Sequence, residues 1–160
     1  MVTRMRGFTL LELMIVVAIL GVLMAMAMPA VSEMIASQRV RDTAADIHTS
    51  MMRARNEAIS RGLATAVTPV GGNWAGGWYI ANPDGTYNPD MTNPTVFIEQ
   101  HAAVPNATIT STGGTASFSH VGRLTGVVKI TIGGGGGTAL IRCVEVDLMG
   151  RPKTYSGACV

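Results

Sequence analysis

Positions 8 to 28 form one run of 21 residues in which only Thr9 and Glu12 are polar. At 1.5 Å per residue a helix of that length covers roughly 31 Å, enough to cross a bilayer core. The run therefore predicts a membrane-spanning segment, with Arg4 and Arg6 holding its leading end in the cytoplasm. Pro29 predicts a kink in this helix without necessarily its end. Glu12 is the anomaly. A carboxylate inside a spanning helix costs on the order of 2.5 to 3.5 kcal/mol at the bilayer centre, and less near its edge.

Beyond Pro29, Val40, Ala44, Ile47, Met51, Ala54 and Ala58 recur at spacings of three and four. This stripe predicts an amphipathic helix running to about Arg61, with Gly62 as its C-terminal cap. Arg39, Arg41, Asp42, Asp46, Arg53, Arg55 and Glu57 line its other faces, as expected of a solvated helix surface. From residue 63 the texture changes: Gly, Asn, Pro and Thr become frequent and short β-type runs alternate with turn signals. Strands are expected at 63–70, 76–81, 95–100, 107–111, 115–119, 126–132, 139–147 and 152–155. Residues 82 to 94, "NPDGTYNPDMTNP", read as a proline-rich surface loop carrying Asp84 and Asp90. The glycine run 133–137 lacks the Gly-Lys-Ser/Thr ending of a phosphate loop and reads as a flexible hairpin connection.

Hydrophobic residues make up 48% of the chain and charged residues 14%, and much of the apolar excess lies in 8–28. Twelve basic residues face ten acidic ones; without Arg4 and Arg6 the balance is even. The whole chain thus offers no general electrostatic case for nucleic acid, and any such case rests on a local patch. Cys143 and Cys159, 16 positions apart, read in an exported chain as one disulfide worth about 3 kcal/mol in the chain-entropy picture. Two free thiols are the alternative. His48, His101 and His120 are scattered and none has zinc-site spacing with a cysteine, so no metal is expected. The chain has no Gly-x-Ser-x-Gly elbow, no His-Glu-x-x-His and no nucleotide-binding glycine pattern. No enzymatic activity and no cofactor are expected.

Three explanations compete for the opening stretch. A secretory signal peptide would be cut at the A-x-A site Ala25-Met26-Ala27; a plain anchor would be kept whole. Neither needs Glu12. The third explanation uses Glu12 together with the Arg6-Gly7 boundary. "RGFTLLELMIVVAILGVLMAMAMP" resembles the prepilin signature of type IV pilins and type II secretion pseudopilins. The resemblance implies cleavage by a prepilin peptidase after Gly7, methylation of the new terminus at Phe8, and pairing of Glu12 with the freed amine of a neighbouring subunit. A buried carboxylate is tolerable beside such a cation. Met5 would serve as well as Met1 for a start before Arg6.

Three later blocks, "GGWYI" (76–80), "SFSHVGRLTG" (117–126) and "RCVEVDLMGRPKTYSGAC" (142–159), resemble the GspH/FimT family of minor pilins and pseudopilins. The fold implied is α+β and type IV pilin-like: a long N-terminal helix, half spanning and half amphipathic, packed on a C-terminal antiparallel β domain. Its parts would be a leader (1–7), an assembly helix (8–28), a periplasmic amphipathic helix (29–62) and a globular domain (63–160). The implied partners are other minor and major pilins or pseudopilins, the prepilin peptidase and an assembly platform in the inner membrane. The implied topology is single-pass, N-terminus cytoplasmic, with incorporation into a pilus or pseudopilus after cleavage.

Blocks two and three echo each other in "HVGRLT" and "LMGRPKT", both expected to be hairpin corners in which Gly122 and Gly150 supply the turn. Some relatives bind DNA through a C-terminal Gly-Arg-x-Arg, which here stands as Gly150, Arg151, Pro152, Lys153. Lysine keeps a point charge for a phosphate but loses the planar fork. Arg142 could join Arg151 and Lys153, whereas Glu145 and Asp147 would weaken the patch. The expected role is a minor pilin that primes or caps the pilus tip. A minor pseudopilin of type II secretion and a DNA-binding competence pilin are the alternatives.

Overall fold

The computed structural model describes residues 8–83, 97–134 and 140–160, the side chains at 26, 27 and 29 apart. Arg4, Met5, Arg6 and Gly7, the loop acids Asp84 and Asp90, and positions 135–137 of the glycine run lie outside the described residues.

The first element, α1 (Leu10–Arg61), is a helix of 52 residues that continues through Pro29. Thr9 starts it. The Glu12 amide donates to Thr9 Oγ1 at 3.2 Å, and the Leu13 amide closes the first turn on the Thr9 carbonyl at 3.2 Å. This is the threonine half of a Thr-x-x-Glu capping box, with the Glu12 carboxylate in the first turn, where the helix dipole favours negative charge. Arg61 in the last turn and Gly62 at φ 66° close the other end.

The chain divides into two compact units, residues 1–35 and 36–160. In the first, every described side chain from Phe8 to Ile35 is exposed. Taken singly, neither stretch of α1 on either side of residues 26–29 is long and apolar enough to cross a membrane, and no other helix among the described residues is. Leu10–Ala25 and Ala30–Arg61 together meet that length and composition.

In the second unit the predicted stripe is the buried face of the helix: Val40, Ala44, Ile47, Met51, Ala54 and Ala58 are all at most 1% exposed. The unit therefore takes in helix residues from Ala36 onward, because that face and the sheets share one core. Among the described residues eight strands follow: β1 (Thr65–Pro69), β2 (Trp78–Ala81), β3 (Phe97–His101), β4 (Ala107–Thr112), β5 (Ala116–Phe118), β6 (Val128–Gly134), β7 (Ile141–Val146) and β8 (Pro152–Ser156). Each falls within two or three residues of its predicted position. The main trimming is at Val70 to Gly77, where two single-turn 3-10 helices occupy Val70–Gly72 and Trp74–Gly76.

The strands make two four-stranded antiparallel sheets, ordered β3-β2-β1-β5 and β4-β6-β7-β8. Alternation puts Val67, Trp78, Ile80, Ala116 and Phe118 of one sheet and Val128, Ile130, Ile132, Val144 and Val146 of the other into the common core. At about 25 cal/mol per Å² of apolar surface, this burial dominates the stability of the unit.

The helix charges do not all face water as expected. Ser50 Oγ donates to Glu99 Oε1 at 2.5 Å and accepts from the buried Trp78 Nε1 at 2.9 Å, while Arg53 pairs with the other oxygen of Glu99 at 3.0 Å. Asp46 Oδ2 lies 3.1 Å from His101 Nε2, and the His101 ring stacks on Trp78 with centroids 4.1 Å apart. Asp46, Ser50 and Arg53 recur at four and three, so they form one polar seam beside the apolar stripe. Burial of the stripe brings this seam against β2 and β3, where its charges find partners. His101 thus has a structural role, tied to α1 and stacked on Trp78.

Candidate functional site

The first candidate is the start of α1. Phe8 is 86% exposed, and Leu10, Leu11, Leu13, Met14 and Ile15 are all more than half exposed. Glu12 stands among them, one turn in. A helix apolar on every side has no stable place in water, so this surface requires lipid or other helices around it. Gly7 lies outside the described residues; Phe8 precedes α1 and Glu12 lies in its first turn, and both are exposed.

The second candidate is the pair of Gly-Arg corners. Both are built alike. In Ser119–Arg123 the Gly122 amide donates to the Ser119 carbonyl at 2.7 Å, the Ser119 amide donates to the Arg123 carbonyl at 2.8 Å, and Ser119 Oγ accepts from the Arg123 amide at 3.2 Å. In Asp147–Arg151 the corresponding bonds run Gly150 to Asp147 at 2.8 Å, Asp147 to Arg151 at 3.4 Å, and Arg151 to Asp147 Oδ1 at 3.0 Å. The glycines adopt φ 74° and 71°, a region that side chains resist. The corners also touch: the Leu124 amide donates to the Leu148 carbonyl at 3.1 Å, and a Cβ on Gly150 would lie 2.0 Å from the Gly122 carbonyl oxygen. Arg55 on α1 donates from Nε to that same oxygen at 3.1 Å.

Of the three cations expected to meet DNA, the structure brings two together. Arg151 Nη2 and Lys153 Nζ lie 3.3 and 3.5 Å from Asp147 Oδ2. The Arg151 amide, then the Arg151 and Lys153 charges, hold the Asp147 carboxyl below its ordinary value, so it stays ionised and offsets both cations. Arg142 is elsewhere. On β7 it shares a face with the core residues Val144 and Val146, whereas Lys153 pairs with Glu145 on the opposite face. Tyr155, the aromatic nearest the corner, donates its hydroxyl to Glu145 Oε2 at 2.5 Å, and its pKa is raised by that bond. Sequence reasoning passed over Thr9, Ser119 and the capping role of Asp147, although a short polar residue three before Glu12, Gly122 or Gly150 was a legible signal.

Cys143 and Cys159 are joined, with Cα atoms 5.1 Å apart. The bond staples the C-terminal segment onto the outer face of β7 and β6, where the Cys159 amide also donates to Thr131 Oγ1 at 3.0 Å. Among the described residues no group of three metal-binding side chains comes together.

Residues 3–28 match the prokaryotic N-terminal methylation motif, which implies prepilin-type processing, and residues 43–150 match the family described as type II transport protein GspH. The fold and the N-terminal segment together define a type IV pilin-like subunit. The family match covers more than half of the chain, which belongs to the GspH family of minor pilins and pseudopilins. The fold is similar to that of the type IV minor pilin FimU of Pseudomonas aeruginosa, with a TM-score of 0.61 at 17% identity, over 77% of this chain and 96% of that one. It is also similar to the minor pseudopilin EpsH of the Vibrio cholerae type 2 secretion system, with a TM-score of 0.51 at 14% identity, over 75% and 97% of the two chains.

Proposed function

We propose that this chain is a minor pilin of a type IV pilus, cut after Gly7, methylated at Phe8, and assembled through α1 near the filament tip, where its β unit primes or caps the fibre. The uncovered apolar helix carrying Glu12 one turn from its start carries this reading. Before assembly the helix would sit in the bacterial inner membrane with the β unit in the periplasm; afterwards neighbouring helices replace the lipid. Cleavage supplies an ammonium group at Phe8 for the Glu12 carboxylate of the next subunit. The pairing matters because removing one partner of a buried ion pair costs about 3 to 5 kcal/mol. In this role the chain is a structural subunit without catalytic activity.

A second reading, a minor pseudopilin of type II secretion, is favoured by the description of the matched family. The disulfide-braced C-terminal corner supports the pilus reading, through its resemblance to minor pilins. DNA is not part of the proposed role, since Asp147 offsets Arg151 and Lys153 and Arg142 faces away from them. Deletion of the gene with recovery of sheared filaments decides between the two. Loss of pili and twitching with normal secretion is expected; intact pili with enzymes stranded in the periplasm would establish the pseudopilin reading instead.

A further inference from the structure

Where α1 meets β7 and β8, a groove of about 340 Å³ is lined by Arg41, Ala44, Ala45, His48, Arg142 and Thr154. Two arginines and a histidine line it, and among the described residues no carboxylate does. Arg41 and His48 are seven residues apart on α1 and therefore share one face, and two alanines between them leave the space open. Arg142 enters from the sheet, opposite Ser156 in the ladder. Its Nε is buried and has no hydrogen-bond partner among the described residues. A buried guanidinium donor left without an acceptor is costly, and the groove that this side chain lines is where an oxyanion would meet the same guanidinium group.

We propose that this groove is an oxyanion site that receives an acidic side chain of a neighbouring subunit. The inference rests on the assembly reading above, and it adds a specific contact that the apolar helix alone does not provide. Two observations favour a carboxylate over a nucleic-acid phosphate. The cations of the groove lie on the opposite sheet face from Lys153, and Asp147 already offsets Lys153 and Arg151, so no continuous cationic track leads away for a polyanion. The groove also flanks α1, whose apolar segment must lie beside helices of other subunits once assembled, so a protein neighbour is at hand. A carboxylate bridging two guanidinium groups makes charge-assisted, bidentate bonds, which fix the register of one subunit against the next.

The test places a photo-reactive benzoylphenylalanine at Ala45 in the full chain, in cells that assemble filaments, and identifies adducts by mass spectrometry. An adduct with another subunit at a peptide carrying Asp or Glu is expected. Its yield should fall about tenfold in Arg142→Gln and likewise in Arg41→Gln, an exposed helix position that leaves the core intact. An adduct whose yield is unchanged in both variants, or whose peptide lacks a carboxylate, overturns the proposal. So does the lack of any protein adduct when the chain is present in sheared filaments, whereas its absence from filaments overturns the assembly reading together with this one. In a parallel arm the full chain in detergent micelles is titrated with a short fluorescent DNA duplex. DNA affinity unchanged by the two substitutions supports the carboxylate assignment; a tenfold loss would reassign the groove to phosphate.

Discussion

The two Gly-Arg corners are alike in hydrogen bonding but unlike in surroundings, and this difference yields a quantitative expectation. An alanine at Gly150 must hold φ near 71°, which costs roughly 1 to 2 kcal/mol for a residue with a Cβ. That Cβ would also stand 2.0 Å from the Gly122 carbonyl oxygen and 3.1 Å from its carbon. The obstacle is backbone, so the corners must separate. Separation breaks the Arg55 bond to Gly122, a charge-assisted hydrogen bond worth about 1.5 to 3 kcal/mol. Gly150→Ala should therefore destabilise the β unit by about 2.5 to 5 kcal/mol. At Gly122 the same φ strain applies, but the nearest atom is Ile59 Cδ1 at 2.6 Å, the far end of a half-exposed side chain that can swing aside. Gly122→Ala should cost only about 1 to 2 kcal/mol. Urea titration of the full chain in detergent micelles, followed by the fluorescence of Trp74 and Trp78, measures both. Equal losses, or a larger loss at Gly122, would refute the claim that contact between the corners is what excludes a side chain.

Further predictions concern the seam, the staple and the Asp147 turn. Ser50→Ala leaves Trp78 Nε1 and one oxygen of Glu99 without their partner and should cost about 1 to 3 kcal/mol in the same titration, against a few tenths for Ser60→Ala on the exposed face. Serine at both Cys143 and Cys159 should lower stability by about 3 kcal/mol, and a reductant should reproduce the loss in wild type but not in the variant. Asp147 has a lowered folded-state pKa, so its contribution is present above its ordinary value of 3.8 and is lost as pH falls through the lower folded value. Asp147→Asn should accordingly flatten the acid limb of the stability profile below about pH 4, which a series of melts across that range would show.

The apolar stripe from Val40 to Ala58 and the alternating strands were legible because helix and strand periodicities are one-dimensional patterns. Glu12 stood out for a different reason: an acid in an apolar run violates the local pattern. Arg142 shows where legibility ended. Its nearness in sequence to Arg151 suggested one patch, but residues on a strand alternate sides, and the register that sends Val144 and Val146 inward takes Arg142 with them. The partners of Asp46, Arg53 and Arg55 were equally hidden, since Glu99, His101 and Gly122 are 46 to 67 positions away and only the docking of the sheets brings them close.

The central claim is that proteolysis after Gly7 turns an apolar helix with a stray acid into an assembly element. Intact-mass and N-terminal peptide spectrometry of the chain recovered from sheared filaments tests it most directly. The account predicts a terminus at Phe8 carrying one added methyl group; a chain retaining Arg6 and Gly7, or one beginning at Met28, would contradict it.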